Sequence, residues 1–395
     1  MTILCVSSYF KGSKFITAAK AEGATVYLLT SISLKDEPWP REDIDEMFYV
    51  EEGNDEPWNM ANVIKGLAHT FRSKKVDRIV ALDDFDVERA AQLREEFRVP
   101  GMGQTTARYF RDKLAMRVKA ADSGIKVPAF SALFNDTEIH EYTQNIPAPW
   151  LVKPRSEASA TGIKKIHSAD ELWQHLETLG DRRHEYLVEK FEPGDVYHVD
   201  SLSQDGELIF SRVSQYLNTP FEVAHGGGIF RSHTCEFGGE DDKALRAMTA
   251  NVMTAFGMVF SASHTEFIKS HSTGEFYFLE TSSRVGGAHL AEMVEYSSGI
   301  SLWAEWAKLE IAQFKNEKYT LPTVKDDYAG IVVSLIRDYR ADYSTFNDNE
   351  ICWTMEKDYH IGIIIKAEKR QRILDLLDDY AKRIFESSHA SAPSQ

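Results

Sequence analysis

Two acids, an arginine and a lysine-bearing loop carry most of the chemistry in this sequence. Glu266 lies in the alternating stretch His264-Thr265-Glu266-Phe267-Ile268. Glu280 ends the next one, Phe276 to Leu279, with the turn Ser272-Thr273-Gly274 between them. A hairpin would set both carboxylates on adjacent strands, within reach of one ion. Mg²⁺ is commonly held by one or two carboxylates together with substrate phosphates. The alternative is that both acids face water on an exposed sheet face, since burying them in apolar strands is costly. The continuation Glu280-Thr281-Ser282-Ser283-Arg284-Val285-Gly286-Gly287 puts oxygen donors and a guanidinium at alternating positions ahead of a glycine pair. Upstream, Lys153 to Ile163 joins two strand-like runs through small residues. Such a loop lets backbone N–H groups approach phosphate oxygens while the lysine adds charge, and a plain hairpin loop is its alternative reading.

Other chemistries find less support. His225-Gly226-Gly227-Gly228 is similar to the oxyanion loop of some esterases, but no Gly-x-Ser-x-Gly elbow accompanies it, which argues against a serine hydrolase. A Walker loop, an HExxH pair and a GxGxxG turn after a strand are likewise missing from the sequence. Cys5, Cys235 and Cys352 lie far apart, so neither a disulfide framework nor a structural zinc site is indicated. His225, Arg231 and His289 remain candidates for a cleft. Asp83 and Asp84 follow the apolar run Ile79 to Leu82, where open sheets place their ligands, although capping of the next helix is the favoured reading there.

Positioning these groups takes several layers. Ile3–Val6, a helical pattern from Ser13 to Ala21, Val26–Leu29, a helix from Trp58 to Phe71, Ile79–Leu82 and a helix from Val87 to Phe97 predict an N-terminal parallel α/β lobe over 1–108. A mixed part, 109–190, holds a helix after Asp112, two strands around the lysine loop, and the strand Tyr186 to Glu189. A substantial antiparallel sheet, with strands at 196–202, 208–213, 263–268 and 276–279, is expected within 191–320. The stretch 326–386 reads as a small α+β cap and 387–395 as a frayed tail. The fold class is thus α/β followed by α+β. The 395 residues carry 45 Lys plus Arg against 61 Asp plus Glu, a net charge of −16, which disfavours a dedicated nucleic-acid binder. A start without basic residues or a long apolar stretch, and no apolar run of about 18 residues, point to a cytoplasmic protein that does not enter membranes.

Taken in order, Asp112-Lys113 before a Gly-x-x-x-Pro turn, Lys153-Pro154-Arg155 with its loop, Val188-Glu189-Lys190-Phe191 with Pro193-Gly194, Glu266, and Glu280-x-Ser282-x-Arg284-x-Gly286-Gly287 resemble the ATP-grasp superfamily, closest to its carboxylate-amine ligases. The resemblance implies an N-terminal α/β domain before a two-part ATP-grasp domain, 109–320. Lys113 and Lys153 would bind ATP phosphates under a lid from Arg155 to Gly162 that includes Ser159 and Thr161. Glu189, Lys190, Phe191 and Glu192 would form the adenine hinge, and Asp195 or Asp200 would serve the ribose in place of Val196. Glu266 and Glu280, with Ser282 nearby, would hold Mg²⁺ or Mn²⁺. Arg284, with Lys153, would be catalytic, neutralising an acyl phosphate. His225, Gly227, Arg231, Arg284 and Gly287 are the substrate candidates. The implied activity is amide-bond formation between a small-molecule carboxylate and an amine, amino acids among them, with release of ADP and phosphate, in a homodimer. Rival readings are a biotin-carboxylase-like enzyme that activates bicarbonate and a non-catalytic nucleotide-binding protein. Ser282 stands where the family usually has Asn, and Gly162 is the loop's one glycine.

Overall fold

The computed structural model describes residues 1–51, 58–158 and 160–391. Its N-terminal lobe is a parallel sheet in the order β3-β2-β1-β4, formed by β1 (Thr2–Ser7), β2 (Thr25–Ser31), β3 (Glu46–Val50) and β4 (Arg78–Ala81). Near-continuous apolar runs such as Ile3-Leu4-Cys5-Val6 suit a sheet covered on both faces. Phe15 and Ile16 of the helix Ser13–Ala21 pack on one face with Trp306. Val63, Val87 and Ala90, from the helices Met60–Thr70 and Asp86–Phe97, pack on the other. The carboxyl end of β4 runs directly into Asp83 and Asp84. β3 escaped the sequence reading because Glu46-Met47-Phe48-Tyr49-Val50 lies on the sheet edge, only partly buried, and shows no clean alternation.

The second layer is an antiparallel sheet ordered β5-β8-β6-β7, from β5 (Phe130–Ala132), β6 (Trp150–Pro154), β7 (Lys164–Ile166) and β8 (Tyr186–Lys190). Helices Asp136–Asn145 and Ala169–Leu179 cover it, placing Ile139, Leu172 and Leu176 against Trp150 and Val188. Each helix starts at a side-chain cap. Asn135 accepts from the Thr137 amide at 2.8 Å, and Ser168 accepts from the Glu171 amide at 3.2 Å. The loop between β6 and β7 is the lysine loop of the sequence reading.

The third layer is one eight-stranded antiparallel sheet, ordered β13-β12-β9-β10-β11-β14-β16-β15. Its strands are β9 (Gly194–Gln204), β10 (Glu207–Tyr216), β11 (Phe230–Thr234), β12 (Ser261–Ser270), β13 (Phe276–Ser282), β14 (Tyr328–Leu335), β15 (Ile351–Thr354) and β16 (His360–Ala367). The β9–β10 hairpin turns at Asp205-Gly206, both with positive φ (52° and 82°), the geometry an Asp-Gly turn favours. The stretch 326–386 was expected as a separate small cap. Instead β14 pairs with β11, so its strands extend the large sheet, and the helix Arg370–Ser387 packs Ile373, Leu377 and Tyr380 on them. The start of the expected tail is also held: the Ala390 amide donates to Leu335 O at 3.0 Å and His389 Nδ1 meets Ser334 Oγ at 2.8 Å. Residues 392–395 of that tail lie outside the described residues. Among the described residues no helix is long and apolar enough to cross a membrane.

Candidate functional site

The three layers meet around a cavity of about 720 Å³, continuous with a second of about 430 Å³ between the small and large antiparallel sheets. Lys113, Glu157, Thr161, Glu266 and Glu280 line both. Together these volumes fit small-molecule ligands.

The acids come from the β12–β13 hairpin, whose register sets Glu266 directly opposite Glu280. Directly opposite residues of an antiparallel pair share a face, and both acids line the cavity, with a bulge following Glu266. Tyr216 donates to Glu266 Oε1 at 2.8 Å, and His264 Nε2 lies 3.5 Å from the same oxygen. Burial opposes charge on Glu266, but those two groups hold its carboxyl below the usual range. His264 is in turn fixed by Asp200, 2.8 Å from Nδ1. Against the effect of burial, Asp200 and Glu266 raise the imidazole to about 9. Asp200 also takes His198 Nδ1 at 2.7 Å, and His198 Nε2 meets Ser232 Oγ at 2.7 Å. His198, Asp200 and His264 bring one ligand atom each within 4.8 Å of one another, yet both imidazoles are engaged with Asp200. Asp200 is thereby buried behind the acids and lines neither cavity.

The lysines reach the same space from the small sheet and its preceding helix. Asp112 caps the helix Lys113–Asp122 by accepting from the Leu114 amide at 3.0 Å, which aims Lys113 into the cavity. Lys113 Nζ lies 2.8 Å from Glu280 Oε2 and donates to Glu157 O at 2.7 Å. One helical turn on, Arg117 is almost fully buried and grips Glu189 Oε2 through Nε at 2.9 Å and Nη2 at 2.8 Å. Lys153, at the end of β6, pairs with the other Glu189 oxygen. Burial alone would raise the Glu189 carboxyl; the two cations override it and bring it down to about 2.

The hinge residues Lys190, Phe191 and Glu192 line the smaller cavity, with Lys165 Nζ 3.6 Å above the Phe191 ring. Glu192 is turned toward Ser270 and lies 3.2 Å from Lys190 Nζ. Thr161 lines both cavities. Gly162 has φ +69°, and a Cβ there would come within 2.9 Å of Pro154 Cγ, so the loop's one glycine is required by its fold. Ser159 lies outside the described residues. Asp195 is half exposed, pairs with His271 at 3.2 Å and does not line the cavity, which leaves no support for a ribose role.

Of the substrate candidates, Arg284 and Gly287 line the large cavity. Arg231 does not: it turns outward to Asp378 at 2.6 Å and Asn218 at 3.0 Å. His225 bonds Ile163 O of the lid loop through Nε2 at 3.0 Å, and Gly227 ends the short helix Pro220–Gly226 with φ 62°. These two hold a covering segment in place and do not face the cavity. His289 sits against Trp353 and Glu292 instead. Ser282 lines the large cavity and donates its hydroxyl proton to Asp84.

Asp84 itself is what the sequence reading weighted wrongly. The helix Asp86–Phe97 carries no side-chain cap; Asp83 accepts from the Phe85 amide just before it at 3.1 Å and pairs with Lys11. Asp84 enters the cavity, and there burial is outweighed by Arg284 and Arg111, with help from Ser282, so the carboxyl stays below its usual range. Arg117 and Arg111 were also missed. The spacing of Lys113 and Arg117, four residues apart on one helix face, was the available signal for Arg117.

A parallel N-terminal lobe, a small covering sheet and a large antiparallel sheet, meeting at opposed acids and converging lysines, make this an ATP-grasp fold. The solved structure of an L-amino acid ligase from Bacillus licheniformis superposes with a TM-score of 0.77 over 98% of both chains at 16% identity. Biotin carboxylase from Campylobacter jejuni matches with a TM-score of 0.70 at 14% identity, over 97% of this chain and 95% of that one. By sequence, an L-arginine-specific L-amino acid ligase of Bacillus subtilis is 27% identical over 258 residues, covering 63% of this chain and 60% of the relative. A D-alanine–D-alanine ligase of Neisseria meningitidis is 22% identical over 188 residues, 47% of this chain and 61% of that protein. The chain thus spans about three fifths of the length of these curated relatives. No family model matches it.

Proposed function

We propose that the protein is an ATP-dependent ligase that joins a small-molecule carboxylate to an amine, releasing ADP and phosphate. The observation that carries this reading is the convergence of Lys113, Lys153, Glu266, Glu280 and Arg284 on one continuous cavity in this fold. Lys113 and Lys153 bind the ATP phosphates, the hinge at Lys190 to Glu192 and the Phe191 ring receive the base, and the lid loop excludes water. The substrate carboxylate oxygen attacks the γ-phosphorus and ADP leaves. The amine nitrogen then attacks the acyl carbon, the tetrahedral oxyanion collapses, and phosphate departs taking the proton that the nitrogen sheds, with Arg284 beside the developing charge. Glu266 and Glu280 fit a divalent cation: they are opposed in register, both face the cavity, and oxygen donors suit Mg²⁺. When bound, Mg²⁺ neutralises phosphate charge. No side-chain nucleophile is needed, because positioning and charge neutralisation suffice.

The relatives that form peptide-like bonds support amino acids as the carboxylate and amine. Phosphorus NMR of ATP, Mg²⁺ and pooled amino acids tests the reading. ADP plus phosphate appearing only with the pool supports it; AMP plus pyrophosphate would refute the acyl-phosphate route, and turnover that needs bicarbonate would favour the carboxylase class.

A further inference from the structure

Asp84 belongs to the N-terminal lobe, but its carboxylate is engaged by Arg111, in the segment that leads from that lobe to the helix Lys113–Asp122, and by Ser282 and Arg284 at the end of β13 and just beyond it. Oδ2 accepts from Arg111 Nη1 at 2.9 Å. Oδ1 accepts from the Ser282 hydroxyl on β13 and lies 3.6 Å from Arg284 Nε. Arg111 does not stop there: its Nη2 donates to Ser156 O in the lid loop, and its guanidinium lies over the Phe85 ring at 4.3 Å. The Asp84 residue is 8% exposed and Arg111 4%, so these bonds are shielded from water and from screening by salt. A single carboxylate therefore links the N-terminal lobe, the lid loop through Arg111, and the guanidinium beside the reacting carboxylate.

We propose that Asp84 is a positioning residue that couples closure of the lid loop to the aim of Arg284. This rests on the ligase reading for its kinetic consequence. An arginine side chain left to itself keeps rotamer freedom that must be lost each time it meets the developing oxyanion. Asp84 removes that freedom in advance, and a preorganised charge is worth more than one that must reorient. The charges facing Asp84 are Arg284 from the large sheet, Arg111 from the connecting segment and, further off, Lys113 from its helix. Ser282 completes the arrangement because a hydroxyl can donate to the carboxylate.

The test uses the full-length protein and the variants Asp84→Asn, Ser282→Ala and the double change. With Mg²⁺ and a non-hydrolysable ATP analogue, amide exchange across residues 155–163 slows in the wild type and slows markedly less in Asp84→Asn. Equal slowing in both, or no slowing in the wild type, overturns the coupling. In turnover, Asp84→Asn lowers kcat by about 10²-fold, the loss that a misplacement of about 1 Å brings, with KM for ATP within about twofold. Unchanged kcat, or a rise of KM for ATP in step with the fall in kcat, overturns the positioning role. Ser282→Ala lowers kcat in the same direction, and the double variant falls no further than Asp84→Asn. Additive losses overturn the shared contact. Failure of the wild type to release ADP with any carboxylate–amine pair sinks the ligase reading alone, since the exchange experiment still decides the coupling.

Discussion

Replacing Glu189 by Gln removes the one negative charge that Arg117 and Lys153 share inside the protein. Glu189 and Arg117 are both about 1% exposed, so solvent cannot stand in for the lost partner. The wild-type carboxyl is held at about 2 against an ordinary value of 4.5, which corresponds to roughly 3 kcal/mol of stability at neutral pH. An independent route gives the same scale, since removing one member of a buried ion pair costs about 3–5 kcal/mol. The folded-state value is depressed, so the contribution is fully present above pH 4.5 and fades as pH falls toward 2; at pH 3 about 1 kcal/mol of it remains. Urea unfolding of wild type and Glu189→Gln, followed by tryptophan fluorescence and by circular dichroism with coincident transitions, should give a gap near 3 kcal/mol at pH 7 that narrows at pH 3. A gap below 1 kcal/mol at pH 7, or one of constant size from pH 7 to pH 3, would refute the reasoning.

Glu280→Gln should leave the unfolding midpoint near the wild-type value, because the side chain is about a third exposed, while reducing ADP formation by at least about 10²-fold; the paired measurement of melting and turnover checks both halves. Arg284→Ala should lower kcat by about 10²–10³-fold with little change in KM for ATP, read from steady-state phosphate release. Lys165→Ala, which removes the cation above Phe191, should weaken MgATP binding severalfold in calorimetry without touching kcat at saturation. Gly162→Ala should raise KM for ATP, because the lid loop there needs a positive φ and the new methyl would meet Pro154.

How much of this was legible before the structure depends on how far apart in the chain the cooperating residues lie. Glu266 and Glu280 are joined by a short turn, so alternation and turn chemistry were enough to oppose them. Lys153 and its loop were visible for the same local reason. Asp84 could not be placed in the cavity, because its partners Arg111, Ser282 and Arg284 come from other layers and sequence pattern carries no information on which layers touch. Arg231 and His225 failed in the opposite direction: a glycine-rich neighbourhood suggested a ligand loop, while the fold engages both side chains with protein groups. The C-terminal strands were read correctly as strands but not as members of the large sheet, since pairing partners across a sheet edge are set by packing of Ile331, Ile363 and Tyr380 and leave no mark on local periodicity.

On the proposed ligase reading, the pairings at the cavity would let a chain of net charge −16 accept a polyphosphate. Lys113 holds Glu280 and Lys153 holds Glu189, so each cation is matched within the protein itself. When nucleotide phosphates come to the lysines and a divalent cation comes to Glu280, one set of pairings replaces another and no charge is left alone in a low-dielectric space. Glu189 keeps Arg117 throughout, which is why it stays ionised when Lys153 turns to phosphate. A Lys153→Met variant should therefore lose nucleotide affinity by at least about tenfold yet keep most of its stability, because Arg117 alone still compensates Glu189. If calorimetry shows unchanged MgATP affinity in Lys153→Met, the exchange of pairings is not how the site takes up its phosphates.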